Sequence, residues 1–256
     1  RLLRFPGDPE RDRWNRESYR YFDFDVLLTN PPFAGDIKDS RILAQFDLAR
    51  KPNGKWANKV GRDVLFIQRN LEFLKPGGRM AIVLPQGRLN NTTDKAIRDF
   101  VAQHARILAA VGLHGNTFKP HTGTKTSILF LQKWNDDRKA GPLCPKVDDY
   151  PIFFATSQAA GKDNTGDYVY LSDDKGKRLY DLHGHPMVDH DLFNLRQYLA
   201  GQCEQMMGAT TSKAKKDVLQ AKYKDRLPFV PDRPGIAEAF QDWGRKQGFA
   251  FCAEGE

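Results

Sequence analysis

The sequence predicts an α/β fold, a mostly parallel sheet with an antiparallel edge, followed by a helical tail. Three observations carry this expectation. Apolar runs of strand length recur at residues 24–29, 80–85, 107–113 and 126–132. Helical periodicity fills the intervals between the first three of them. The connector from Gly112 to Lys125 is non-helical and too short for a helical crossover, so the last two strands are expected to be antiparallel neighbours at one edge.

Taken in order, residues 1–21 are polar, rich in Arg and without periodicity. Residues 22–29 alternate at first and end in an apolar run, the pattern of a strand covered on both faces. Pro31 and Pro32 stop it, because neither can donate to a ladder. Residues 34–60 hold Gly, Asp, Lys and Asn with few apolar positions and read as a long exposed loop. In 62–75, Val64, Ile67, Leu71 and Leu74 share one helical face, and Pro76-Gly77-Gly78 is the expected stop. After the 80–85 strand, Asn91, Thr92 or Thr93 can cap a helix whose inner face is Ile97, Phe100 and Val101. Residues 152–155 and 168–171 suggest a hairpin around 161–166. Residues 190–225 read as helical with a solvated run at 213–216. Pro228, Pro231 and Pro234 mark a linker, and 236–247 a final amphipathic helix. No internal repeat is visible.

Composition bounds the function. Hydrophobic residues make up 40% and charged residues 28% of the 256, an ordinary globular balance, and no apolar run has the length of a membrane span. No leader follows Arg1, as in an internal piece of a longer protein. The formal charge of +8 favours a polyanionic partner, since each Lys or Arg beside a phosphate releases condensed counterions. Cys144, Cys203 and Cys252 lack both disulfide and zinc spacing and read as buried or idle thiols, which fits a reducing cytoplasm.

Asn30-Pro31-Pro32-Phe33, directly after a buried strand, is the motif with chemistry in it. In an open α/β sheet, ligands bind at the carboxyl ends of strands, where this tetrapeptide falls. An exocyclic amine on adenine is a poor nucleophile because its lone pair is delocalised into the ring. Two acceptors that take both amine hydrogens localise that pair. The Asn30 side-chain oxygen and the Pro31 carbonyl can supply them, on a backbone stiffened by two prolines. Phe33 offers a flat face for an unstacked base. A cysteine nucleophile for ring-carbon attack is missing from the motif.

The segment 24–33 resembles the catalytic motif of N6-adenine DNA methyltransferases, and most closely the modification (M) subunit of type I restriction-modification systems. Residues 71–85 and 115–133 resemble the helix, strand, late loop and final strand that follow in that family. The resemblance covers about residues 22–171. It implies a partial Rossmann-like S-adenosylmethionine-dependent methyltransferase fold, with residues 1–171 as the second half of the catalytic domain and 172–256 as a helical C-terminal extension. It further implies S-adenosylmethionine as cofactor, double-stranded DNA as substrate, and specificity and restriction subunits as partners. Phe118 becomes a second base-stacking candidate, and Lys119, His121 and Lys125 become DNA-contact candidates.

Asn30 is the one cofactor-binding residue expected in this chain. The glycine-rich turn and the acidic residue for the ribose precede the motif in that family, and only 29 residues precede Asn30 here, fewer than one strand-helix-strand unit. The 24–29 strand is therefore expected to show an open apolar edge, and the isolated chain to be inactive. Residues 122–126 lack the spacing of a phosphate loop. His183, His185, His190, Asp189 and Asp191 have no recognisable ligand spacing, so no metal is expected. Two other readings fit the residues. One is a methyltransferase of protein glutamine or RNA, which faces the same weak nitrogen nucleophile. The other is a non-catalytic piece that binds DNA or a partner through its basic loops and tail.

Overall fold

The computed structural model describes residues 22–51 and 53–252, so the expectations for residues 1–21 lie outside the described residues. The chain forms two compact units, one of residues 22–110 with 126–154, the other of residues 111–125 with 155–252.

The first unit begins with β1, Phe24–Thr29. A small lobe follows where a loop was expected: β2 (Asp36–Ile37), the single turn α1 (Ser40–Leu43), a 3-10 turn Asp47–Ala49, and β3 (Val60–Gly61), which pairs antiparallel with β2. Leu43, Phe46 and Ala49 are buried with Leu65 in a core of their own. Leu43, Phe46 and Ala49 recur every three residues over only seven positions, too short a run to read as an element, which is why the lobe reads as loop in the sequence. Helix α2 (Arg62–Phe73) buries Val64, Ile67 and Leu71 as its spacing requires. It does not stop at Pro76-Gly77-Gly78, because β4 starts at once and runs Leu74–Pro85 through all three residues. Gly77 takes φ +74° and lies so close to the Pro142 carbonyl that a Cβ would fall 1.8 Å from its oxygen.

The short helix α3 (Gly87–Asn90) and a 3-10 turn Thr92–Asp94 lead into α4 (Lys95–His104). None of Asn91, Thr92 or Thr93 caps α4; its N-cap is Asp94, which makes no side-chain cap bond and turns to Arg88 instead. Then come β5 (Ala105–Gly112), β6 (Thr126–Lys133) and β7 (Phe153–Thr156). The sheet order is β1-β4-β6-β5-β7. β1 is parallel to β4, with Leu27 opposite Met80, and β6 is antiparallel to β4, with Thr126 opposite Pro85. β5 and β6 are neighbours as expected, but β6 lies inside the sheet and β7 takes the edge. Burial explains the inside position: Leu129 and Leu131 are at most 4% exposed and need packed neighbours on both sides.

Helices α2 and α4 cover one face, where Ile67, Leu71, Met80, Ile82, Leu84, Ile97, Val101, Leu129 and Leu131 form the core. β1 departs from the expected two-sided cover. Phe24, Val26 and Leu28 are 42%, 50% and 76% exposed, and among the described residues β1 pairs with β4 alone. Lys133 on β6 is half-buried and donates from Nζ to the carbonyls of Leu71 (2.8 Å) and Leu74 (2.7 Å), closing the end of α2.

The second unit contains three turns of one design. Asp163, Asp173 and Asp181 each stand three residues before a glycine with positive φ (Gly166, Gly176 and Gly184), and each Oδ1 accepts from backbone N–H groups of its own turn. No such repeat was expected from the sequence, because an Asp-x-x-Gly spacing among polar residues carries no apolar period. The hairpin of 152–155 with 168–171 is not what forms. Tyr168 pairs with Lys162 and Tyr170 with Val188, as successive turns place their arms side by side. Leu171, Leu179 and Met187 from these arms meet Leu195, Leu199 and Val230 in one core.

Helices α5 (Leu195–Gly208), α6 (Lys213–Arg226) and α7 (Ile236–Lys246) complete the unit, close to the expected helical stretches. Asn194 caps α5 by accepting from the amides of Arg196 and Gln197, both at 3.0 Å. Among the described residues, no helix is long and apolar enough to cross a membrane.

Candidate active site

The tetrapeptide occupies the carboxyl end of β1. Thr29 pairs with Ile82, and β1 and β4 run parallel, so Asn30 leaves the sheet at the same edge as Pro85 and α3. Asn30 and Pro32 are exposed, Pro31 is buried and Phe33 half-buried. The buried Pro31 anchors the turn, while Asn30 stands exposed beside it. Beyond Phe33, Gly35 takes φ +96° and its carbonyl accepts from Arg62 N at 3.0 Å, which fastens the turn to the start of α2.

A charged node backs this edge. Asp63 is 2% exposed and receives Arg88 Nε at 2.7 Å and Nη2 at 3.2 Å, a two-pronged pair, while Nη1 reaches Asp94 at 3.2 Å. The hydrogen bonds that Arg88 donates to Asp63 raise the Arg88 pKa against the opposing effect of burial. The node ties the first turn of α2 to α3 and to the entry of α4, and so holds the segment after β4 beside the segment after β1. Sequence reasoning passed over these residues, because a pair 25 positions apart has no local signal.

The other expected site residues lie in the second unit. Phe118 and Lys119 are half-buried; His121 and Lys125 are exposed. Their loop is built on Asn116, 8% exposed, whose Nδ2 donates to the Lys162 carbonyl (3.3 Å) and to Asn164 Oδ1 (3.1 Å). Lys119 Nζ donates to the Asn164 carbonyl at 3.1 Å, and Lys162 Nζ donates back to the Lys119 carbonyl at 2.8 Å. The Lys119–Pro120 peptide is cis. Lys119 is thus held within its own unit. Lys125 directly precedes Thr126, the residue of β6 opposite Pro85.

The histidines and aspartates weighed for a metal have structural partners. The Asp181 carboxylate accepts from Gln202 Nε2 at 2.9 Å, Tyr198 OH at 3.2 Å and the His183 and His185 amides; burial would raise its pKa, but these bonds prevail and hold it at about 2. Asp191 accepts from Ser157 Oγ and Gln158 N, both at 2.6 Å, and Asp189 pairs with Arg233. Among the described residues, no group of three or more His, Cys, Asp or Glu is placed to hold a metal ion. Cys144, Cys203 and Cys252 are buried, and burial lifts the Cys144 pKa to about 11.

An open α/β sheet with a turn at a strand's carboxyl end defines a class of proteins that bind their ligands beyond the strand ends. The sequence narrows the class: it matches the profile of the N-6 DNA Methylase family over residues 10–193, and the chain belongs to that family. It is 34% identical over 110 residues to the Type I restriction enzyme EcoEI methylase subunit of Escherichia coli, covering 43% of this chain and 21% of that subunit. It is 29% identical over 119 residues to the Type II restriction enzyme and methyltransferase RM.Eco57I of Escherichia coli, covering 45% of this chain and 12% of that protein. Among solved structures, the type I restriction-modification system methyltransferase subunit of Streptococcus thermophilus aligns with 65% of this chain and 32% of its own, at 25% identity and a TM-score of 0.42. The chain spans 21% and 12% of the length of these two curated relatives.

Proposed function

We propose that the protein carrying this chain is an adenine-specific DNA methyltransferase, the modification subunit of a type I restriction-modification system. The observation that carries the reading is the Asn30–Phe33 turn: an exposed amide, a buried proline behind it and a half-buried ring, on the carboxyl end of a strand in a chain of the N-6 DNA methylase family.

S-adenosylmethionine would supply an electrophilic methyl group, and Asn30 is the residue of this chain that would touch it. The residues at this edge suit the other reactant better, since amide, carbonyl and ring match a flat base bearing an amine. Asn30 Oδ1 and the Pro31 carbonyl accept the two hydrogens of the adenine amine and localise its lone pair towards the methyl carbon. The fixed φ of Pro31 and Pro32 keeps both acceptors in place, so little reorganisation is left for the reaction itself. Phe33 covers one face of the flipped base and excludes water there. Phe118 serves as a second base-stacking residue, while Lys119, His121 and Lys125 contact DNA phosphates. Residues 1–171 serve the catalytic domain, and residues 172–256 form a helical extension.

Double-stranded DNA is the substrate, specificity and restriction subunits are the partners, and the cytoplasm is the compartment. The basic surplus of the sequence fits such a partner. The test is methyl transfer from labelled S-adenosylmethionine to duplex DNA by the intact protein with its partner subunits. Asn30→Ala should lower the rate by about a hundredfold or more, the loss typical of a removed transition-state hydrogen-bonding group. Normal modification by a folded Asn30→Ala protein would end this reading.

A further inference from the structure

The lobe that follows the tetrapeptide carries a basic hairpin that the mechanism above does not use. Residues 48–62 hold Arg50, Lys51, Lys55, Lys59 and Arg62 and no acid. The hairpin is a built structure. Arg50 bridges Trp56, Lys51 N donates to the Lys55 carbonyl at 2.8 Å, and Gly54 N donates to the Lys51 carbonyl at 2.9 Å. Gly54 turns the chain at φ +80°, and Asn53 Oδ1 accepts from Lys55 N at 3.1 Å. At its base, Ala57 N donates to the carbonyl of the buried Ala49 at 2.8 Å. Lys59 is occupied by Asp36 at 3.0 Å, whereas Lys51 and Lys55 project as exposed side chains at the tip.

Beside them stands Trp56, 44% exposed, with the Arg50 guanidinium 5.8 Å from its ring centroid. A half-open ring flanked by cations offers a flat stacking face beside positive charge, the combination that suits a nucleic-acid strand. The lobe is also tied close to the tetrapeptide along the chain. The β2–β3 pairing and the bond from Arg62 N to the Gly35 carbonyl return it to within two residues of Phe33, and its own core of Leu43, Phe46, Ala49 and Leu65 stiffens it.

We propose that this hairpin is a DNA-gripping arm of the methyltransferase. Lys51 and Lys55 neutralise backbone phosphates next to the target adenine, and Trp56 lies against the sugar and base edge exposed when that adenine leaves the stack. The proposal rests on the reading of the Asn30 site given above. Flipping a base opens a gap in the duplex that must be held while chemistry proceeds. Phosphate contacts fix position without reading sequence, and an aromatic ring accepts any base face, so the pair suits an arm that serves every recognition sequence equally.

The experiment is equilibrium binding of a fluorescein-labelled duplex to the intact protein with its partner subunits, over roughly 50–300 mM salt. The double variant Lys51→Ala/Lys55→Ala should reduce the slope of log K against log salt by about 1.8, close to 0.9 for each lost phosphate contact, and weaken binding to unrelated duplexes by the same factor. Lys51→Arg/Lys55→Arg should restore the slope, which separates charge from a folding defect. Trp56→Ala should weaken binding about 5- to 100-fold with the slope unchanged. Parental slope and affinity in the alanine double variant would overturn the arm, including the case in which the hairpin meets a protein partner. A lost slope in a protein that transfers no methyl to DNA would support the arm and sink the catalytic reading instead.

Discussion

The sheet of the first unit and the turn ladder of the second are held together by different physics. In the sheet, aliphatic side chains at strand and helix periods close a core in which Ile67, Ile82 and Leu131 are fully buried. In the ladder, aspartates fold back on their own backbone, and burial of the same Asp-x-x-Gly device rises along the chain: Asp163 is exposed, Asp173 half-buried and Asp181 3% exposed. Apolar burial is non-directional and leaves a period in the sequence. Carboxylate-to-amide bonding is directional and local, and it leaves only a spacing of three to a glycine.

The largest expected effect tests the buried ion pair of the sheet unit, which joins positions far apart in the chain. Asp63→Ala leaves Arg88, partly buried, with Asp94 as its remaining carboxylate and should destabilise by about 3–4 kcal/mol in urea unfolding, whereas the double change Asp63→Leu/Arg88→Met should recover most of that loss. Next, Ile82→Ala, at a position with no exposure, should cost about 3–4 kcal/mol through lost transfer energy and the cavity it leaves. Asp181→Ala leaves Gln202, Tyr198 and two turn amides without their acceptor and should cost about 2–3 kcal/mol, against about 1 kcal/mol for Asp173→Ala. Hydrogen exchange of the amides in residues 163–189 would read both, and equal effects would break the graded picture.

The smallest effect is a pH dependence. The folded-state pKa of Asp181 is depressed to about 2 from an ordinary 3.8, so its contribution is complete above pH 4 and is lost as pH falls from 4 towards 2. The loss should be about 1–2 kcal/mol after solvent screening, and it should vanish in Asp181→Ala. The apolar positions of the sheet should show no such step, and comparison with Ile82→Ala over the same range checks the contrast.

The candidate site divides along the same line. Asn30, Pro31, Pro32 and Phe33 were legible because a stop in an apolar run is itself a local signal, and the strand before them forms where expected. Phe118 and Lys119 were legible only as members of a loop. What holds them, Asn116 reaching Lys162 and Asn164, spans nearly fifty positions. The lobe at 34–61 was missed for a related reason: Leu43, Phe46 and Ala49 become a core only once Leu65 of α2 is set beside them.

By itself, then, the sequence determined the strands and helices with a repeating apolar face, the Asn30–Phe33 turn at the end of β1, and the basic surplus. Those features are encoded within a few residues of one another. Tertiary structure decided that β6 enters between β4 and β5, that β1 keeps one face in water, and that Asp63 finds Arg88. These outcomes depend on which distant surfaces can be buried together and which charges must then be paired, and that energy exists only after the chain has closed on itself.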